Sequence, residues 1–263
     1  MRNSIKSVLS SLLVLSMWMS TESANAVIGG TDVVKGEFPS QVYLSVKVGA
    51  DGTMCAGSLI SNQWIVTAAH CVASVSNVLY EVLGVVGETN LSNIGSTSSL
   101  VSFDKVVVHP NYQATHIQND IALLKLQIPV AMSQTIGTVG LPSGSLMPAL
   151  AAMDLTAVGW GNTQWWGSEA VTLKKVGVEV AVQSECERLF GSAFFNQDQQ
   201  LCAYNYGKGV CDGDSGGPLF ATLNGARTLV GVTSYAWKNC GYYPDTYSRL
   251  DSHREWIRSV TGV

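Results

Sequence analysis

The feature that most narrows the folds open to this chain is a two-residue rhythm. In Val42-Tyr43-Leu44-Ser45-Val46-Lys47-Val48, and again in Val176-Gly177-Val178-Glu179-Val180-Ala181-Val182, apolar residues largely alternate with others. Successive side chains of a strand point to opposite faces, so each such segment buries one face and wets the other. Clusters of Gly, Ser, Asn and Pro separate the runs, as in Ser92-Asn93-Ile94-Gly95-Ser96 and Pro142-Ser143-Gly144-Ser145, and read as turns. The pattern predicts an all-β chain of antiparallel strands, arranged as a barrel or a sandwich. One clear helical pattern stands at the end, over residues 252–260. There Trp256, Ile257 and Val260 form an apolar face, with His253, Arg254, Glu255 and Arg258 on the polar side.

The 263 residues, 46% of them hydrophobic, suffice for one large domain or two tightly joined halves around a substantial core. With 15 Lys+Arg against 19 Asp+Glu, the cation excess that neutralises phosphates is missing, which excludes nucleic acid as a partner. Arg2 and Lys6 precede an apolar run from Val8 to Met19 that leads into Ala24-Asn25-Ala26. A basic start, a short apolar stretch and a small-x-small end predict a signal peptide over residues 1–26, cleaved before Val27. The run is shorter than the roughly 20 residues that cross a bilayer. The expected product is a secreted domain over residues 27–263, extracellular, or periplasmic in a bacterial host, with no membrane attachment once the leader is gone.

Secretion governs the reading of Cys55, Cys71, Cys186, Cys202, Cys211 and Cys240: an even set in an oxidising compartment predicts three disulfides. The count alone leaves about fifteen pairings open. No C-x-x-C pair occurs and no histidine has zinc-ligand spacing from two cysteines, so neither a metal nor another cofactor is expected. Asn90-Leu91-Ser92 is a glycosylation sequon, relevant only in a glycosylating host.

Cleaving an amide with a hydroxyl at neutral pH requires a base for its proton, a group that holds the base in one tautomer, and donors for the oxyanion. Gly213-Asp214-Ser215-Gly216-Gly217-Pro218 surrounds a serine with glycines, which permit a sharp turn and a close approach to backbone N–H groups. Thr67-Ala68-Ala69-His70-Cys71 and Asn119-Asp120-Ile121-Ala122-Leu123-Leu124 supply a histidine and a carboxylate. Taken singly, each has a plain structural reading as packing, turn or cap; together they compose a nucleophilic site. The other histidines read as structural: His109 in a turn before Pro110, His116 in the loop ahead of Asp120, His253 on the polar side of the last helix.

In order and in local motif these three segments resemble the trypsin/chymotrypsin family. Val27-Ile28-Gly29-Gly30, His109-Pro110-Asn111-Tyr112, Gly159-Trp160-Gly161, Ser234-Tyr235 and the closing tryptophan-bearing helix extend the resemblance along the chain. It implies two packed six-stranded antiparallel β-barrels, roughly residues 27–140 and 141–250, followed by the C-terminal helix, with the catalytic groups between them. It implies a serine endopeptidase working through an acyl-enzyme: Ser215 the nucleophile, His70 the general base, Asp120 the orienting carboxylate. The N–H groups of Gly213 and Ser215 would form the oxyanion hole. Ser234 would hydrogen-bond the triad carboxylate, and the Ser234-Tyr235-Ala236 strand would pair with extended substrate, Tyr235 standing where tryptophan is usual. The implied disulfides are Cys55–Cys71, Cys186–Cys202 and Cys211–Cys240. Protein or peptide substrates and protein inhibitors are the implied partners, and a monomer the expected state.

Three departures from the family pattern carry further expectations. Glu88 and Asn90 match the start of a loop that binds calcium in some relatives, but residues 92–100 contain no carboxylate, so no calcium site is expected. Relatives usually precede the new N-terminus with Arg or Lys, whereas Ala24-Asn25-Ala26 precedes Val27 here. Signal peptidase would thus release an active enzyme directly, with the Val27 amine paired to Asp214. Gly209 occupies the pocket-floor position that carries aspartate in trypsin, while Asp245 replaces a glycine that lines the same pocket. That exchange resembles crustacean collagenolytic, brachyurin-like serine proteases and implies broad specificity for apolar, aromatic and Arg/Lys side chains before the cut. Val210 and Ala236 would narrow the pocket. The alternative leaves Asp245 in an internal hydrogen bond.

Two rivals lie in other classes. A catalytically inactive protease homologue serving as a binding module typically lacks a triad member, and none is missing here. An esterase or lipase usually carries G-x-S-x-G in an α/β chain with the order Ser, Asp, His, which neither the β pattern nor the residue order matches.

Overall fold

A computed structural model describes residues 27–263 apart from 49–50, 79–80, 95–99, 148 and 237–238; the expected signal peptide lies outside the described residues. After the two-residue strand β1 (Thr31–Asp32) come β2 (Gln41–Val48), β3 (Asp51–Leu59), β4 (Trp64–Thr67), β5 (Val82–Val86), β6 (Leu100–Val108) and β7 (Ala122–Leu126). Strands β2 to β7 close an antiparallel barrel in the order β2-β3-β4-β7-β6-β5. The second barrel uses β8 (Asp154–Gly159), β9 (Lys174–Val180), β10 (Gln200–Tyr204), β11 (Pro218–Leu223), β12 (Ala226–Ala236) and β13 (Asp245–Arg249). These run β9-β10-β13-β12-β11-β8, and pairing of β8 with β9 completes the ring. Two closed six-stranded barrels result, and closure removes the unpaired edges that open sheets expose.

The alternation read in residues 42–48 appears directly in burial. Val42, Leu44 and Val46 are wholly buried, Tyr43 and Ser45 are half-buried, and Lys47 is exposed. The inward face of β2 joins Ile65, Leu124 and Ile121 in one apolar cluster that continues into Val158, Trp160, Phe220 and Val232 of the second barrel. Phe38, on the chain entering β2, stacks on Phe220 of β11 at 5.4 Å. The halves therefore share a core. The entering chain itself crosses over: β1 pairs with β9, and Val27 is buried among Leu155, Val210 and Tyr247 of the second barrel.

Among the described residues the α-helices are α1 (Ala69–Val72), α2 (Gln183–Phe190) and, after the last strand, α3 (Arg254–Thr261). Helix α3 starts later than the sequence pattern suggests. His253 precedes it and is buried at 3% exposure, a correction to its expected place on the polar face. Its Nδ1 sits 2.7 Å from the Arg249 carbonyl, so the ring turns inward rather than out along the helix. Helix α2 escaped the periodicity argument because only Cys186 and Phe190 of its eight residues are buried. A disulfide to Cys202 holds it, together with Gln183, whose side chain accepts from Cys202 N–H at 3.0 Å and donates to the Cys202 carbonyl at 3.0 Å. The disulfides Cys55–Cys71, Cys186–Cys202 and Cys211–Cys240 are all formed, the pairing that the family resemblance implies.

Candidate active site

Strand β4 delivers the chain into α1, where His70 projects between the barrels. Its backbone N–H donates to Asp120 Oδ1 at 2.8 Å, and its ring Nδ1 lies 2.7 Å from Asp120 Oδ2, the geometry of an Nδ1–H donor. Asp120 is completely buried at the head of β7. Ser234 Oγ donates to the same Oδ2 at 2.6 Å, and Ser248 Oγ donates to the Asp120 carbonyl at 2.8 Å. Ser234 reaches the carboxylate because the β12–β13 register shifts between Thr233 and Tyr235, and the extra residue at this bulge is free to aim elsewhere. Burial by itself would push the His70 pKa down; the Asp120 charge and hydrogen bond outweigh it, leaving the ring above its ordinary 6.5.

Ser215 sits on the turn entering β11, and that turn is bonded to both barrels. The Ser215 carbonyl accepts from Ala56 N–H of β3 at 2.7 Å, while Gly216 N–H donates to the Thr233 carbonyl of β12 at 2.8 Å. Gly213 and Gly216 have φ of 92° and 77°, in the left-handed half of conformational space that favours glycine. A Cβ at Gly216 would also strike the Ala56 carbonyl and Thr67 Oγ1. Gly216 is thus required twice over, by torsion and by contact, and Gly213 by torsion.

His70 and Ser215 line one cleft of about 340 Å³, with Tyr112, Ile117, Trp165, Val210 and residues 233–236 among its walls. Ser234, Tyr235 and Ala236 therefore flank the nucleophile as a strand that a peptide could extend. A wider depression of about 600 Å³ around Lys35, Glu88 and Ile128 contains none of these groups. There Lys35 Nζ donates to both Glu88 oxygens at 3.0 and 3.1 Å, so the first carboxylate of the calcium-loop stretch already has a cation. Sγ of Cys55, Sγ of Cys71 and a ring nitrogen of His70 lie within 4.8 Å of one another. Both sulfurs belong to a disulfide, which removes the thiolates a metal would need.

Two carboxylates lie beneath this cleft. Asp214 is fully buried and accepts from Gly161 N–H at 2.7 Å and Cys211 N–H at 2.9 Å. Burial pushes its pKa up to about 7, against the pull of those bonds and helped by the Asp212 charge. Nearby, Ile28 bridges to Gly209, whose N–H donates to the Ile28 carbonyl at 3.2 Å. Asp245 lies directly against Gly209: a Cβ there would collide with its carboxylate. It is 2% exposed, as buried as Val210 of the cleft wall, and is not itself among the lining residues; its Oδ2 accepts from Val210 N–H at 2.8 Å, while Oδ1 is buried with no hydrogen-bond partner. Burial, and secondarily the Asp214 charge, hold its pKa well above the carboxylate range despite that one hydrogen bond. Val210 both lines the cleft and packs in the second core, whereas Ala236 is exposed at the rim.

The sequence motifs did not single out Tyr112, Ile117 or Trp165 as cleft residues. Their signal was proximity to recognised motifs, with Tyr112 in His109-Pro110-Asn111-Tyr112 and Trp165 five residues after Trp160. His253 joins the support of the site, its Nε2 lying 3.4 Å from Asn119 Oδ1, beside Asp120. His109 packs edge-on against His253 and Trp256, and burial pushes its pKa down to about 4.

Comparison with known proteins agrees along the whole of this architecture. The family described as Trypsin matches residues 27–257. Trypsin 5G1 of Aedes aegypti is 36% identical over 94% of this chain and 89% of its own length. Brachyurin of Leptuca pugilator is 35% identical over 90% of this chain and 99% of its own length. Venom serine protease 34 of Apis mellifera is 31% identical over 91% of this chain, which spans 60% of that longer relative.

Proposed function

The chain belongs to the trypsin family and is a serine endopeptidase, and on that premise we propose that it is secreted and cuts peptide bonds with broad side-chain preference through Ser215, His70 and Asp120. Ser215 Oγ attacks the scissile carbonyl carbon as His70 Nε2 takes the hydroxyl proton. The oxyanion then faces the N–H groups of Gly213 and Ser215. Collapse breaks the C–N bond, the leaving amine takes the proton from His70, and water repeats the sequence to release the acyl group. Asp120 fixes the Nδ1–H tautomer and stabilises the imidazolium. The observation that carries this reading is the buried carboxylate that takes hydrogen bonds from His70 twice and from Ser234 once, beside a cleft shared with Ser215.

The primary pocket in this reading accepts apolar and aromatic residues, and Arg or Lys to a lesser extent. Support comes from the unpaired Oδ1 of Asp245 against Gly209, an acceptor that a long cation could satisfy and an apolar side chain could leave buried. Removal of residues 1–26 would free the Val27 amine beside the segment that carries Asp214. An organophosphate should label Ser215 stoichiometrically and abolish peptide cleavage, while a folded Ser215→Ala protein should neither label nor cleave. A folded wild-type protein that binds peptides without labelling or cutting them would replace this reading with that of an inactive binding module.

A further inference from the structure

The hairpin between Trp160 and Ala170 presents two tryptophans that the fold does not use. Its stem is fixed: Asn162 N–H donates to the Asp212 carbonyl at 2.7 Å, Asn162 bridges to Glu169, and Ala170 N–H donates to the Trp160 carbonyl at 2.9 Å. At its tip Gly167 N–H donates to the Gln164 carbonyl at 2.8 Å, closing a four-residue turn with Trp165 and Trp166 at its centre. Trp166 has φ of 62°, a torsion that turns normally give to Gly or Asn, and it is 86% exposed. Trp165 is 36% exposed and meets Trp166 edge-on at 5.4 Å. A bulky apolar side chain in a strained, solvated position contributes little to folding, so the pair calls for a partner.

Trp165 lines the same cleft as His70 and Ser215, which makes the surface continuous with the site of bond cleavage. Its direction follows from what flanks Ser215. The proposed substrate strand residues 234–236 lie on β12, whereas the stem of the hairpin lies toward β3: a Cβ at Gly213 would meet Met54 of β3, Gly161 and Glu169 together. A peptide whose amino-terminal half pairs along β12 therefore runs past Ser215 toward the hairpin. We propose that Trp165 and Trp166 form a docking platform for an apolar or aromatic side chain among the first substrate residues after the cut. This rests on the protease reading above and adds a preference on the leaving-group side.

The test compares wild type with the double variant Trp165→Ser, Trp166→Gly, in which glycine suits the turn. One substrate is an acyl-peptide anilide with no residue after the cut. The others are internally quenched peptides with the same acyl part, carrying Phe and Leu, or Gly throughout, after the cut. Wild type should favour the Phe/Leu peptide over the Gly peptide, and the variant should lower that ratio of kcat/KM by about tenfold, the upper end for one aromatic contact pair. An unchanged ratio overturns the proposal, as does an equal loss on every substrate including the anilide, which would mark the tryptophans as structural. Failure of wild type to hydrolyse the anilide would instead strike the protease reading, on which the proposal depends.

Discussion

Adding one residue in front of Val27 tests how the Asp214 carboxylate is satisfied. Asp214 is fully buried, bonded by two backbone N–H groups and, among the described residues, paired with no cation. Its rise from 3.8 to about 7 corresponds to about 4 kcal/mol against the ionised form, at 1.36 kcal/mol per pH unit. Because the folded state holds this proton more tightly than the unfolded chain, the penalty is absent at low pH. It grows as pH rises from about 4 to about 7 and is then constant. An ammonium on Val27, seated in the neighbouring core, would offset it. In a Ser215→Ala background that prevents self-digestion, the chain starting at Val27 should exceed the Ala26-extended chain in unfolding free energy by up to about 4 kcal/mol at pH 8. At pH 4 the difference should fall below about 1 kcal/mol. With Ser215 restored, the extension should lower kcat/KM at pH 8 by up to about a thousandfold, if the same free energy shapes the oxyanion hole. Denaturant titrations across pH, with peptide turnover alongside, measure both. Equal stability and activity of the two chains would refute the pairing, and a stability gap independent of pH would refute its electrostatic origin.

The activity of the wild-type enzyme toward a short amide should rise with pH through an apparent pKa above 6.5, because His70 accepts a proton only when neutral and Asp120 holds its pKa up. Asp120→Asn should lower kcat by about 10⁴, the drop this change gives in the family's triad, and should move the limb of the residual activity to lower pH; an unmoved limb would contradict the role of Asp120. Asp245→Gly should remove cleavage after Arg and Lys selectively, as read from a peptide library, and an unaltered ratio to cleavage after Phe and Leu would make Asp245 purely structural.

Much of the fold was legible because strand faces are written locally. The alternation at residues 42–48 becomes β2 with Val42, Leu44 and Val46 inward, and that at 176–182 becomes β9, ending at Val180. The candidate catalytic residues were legible for a different reason: each lies in a short motif whose residue types are restricted by chemistry, as the torsions of Gly213 and Gly216 illustrate. Helix α2 was not legible, since a disulfide and the bonds of Gln183 hold it where its own pattern is weak. Nor was His253, whose burial depends on Arg249 and on Asn119, 134 positions away.

By itself, then, the sequence determined which faces could be buried, which cysteines and motifs were present, and which chemical groups were available for catalysis. The tertiary structure alone decided how those groups meet. Ser234 reaches Asp120 across 114 positions through a bulge in β12, Ser248 reaches it across 128, and β1 leaves its own half of the chain to pair with β9. It also set Asp245 against Gly209, and left Trp165 on the cleft that holds Ser215 with Trp166 in solvent next to it. Local spacing specifies the direction of each side chain relative to its own backbone, but contact between distant segments depends on strand register and barrel closure, which many weak packing terms settle together.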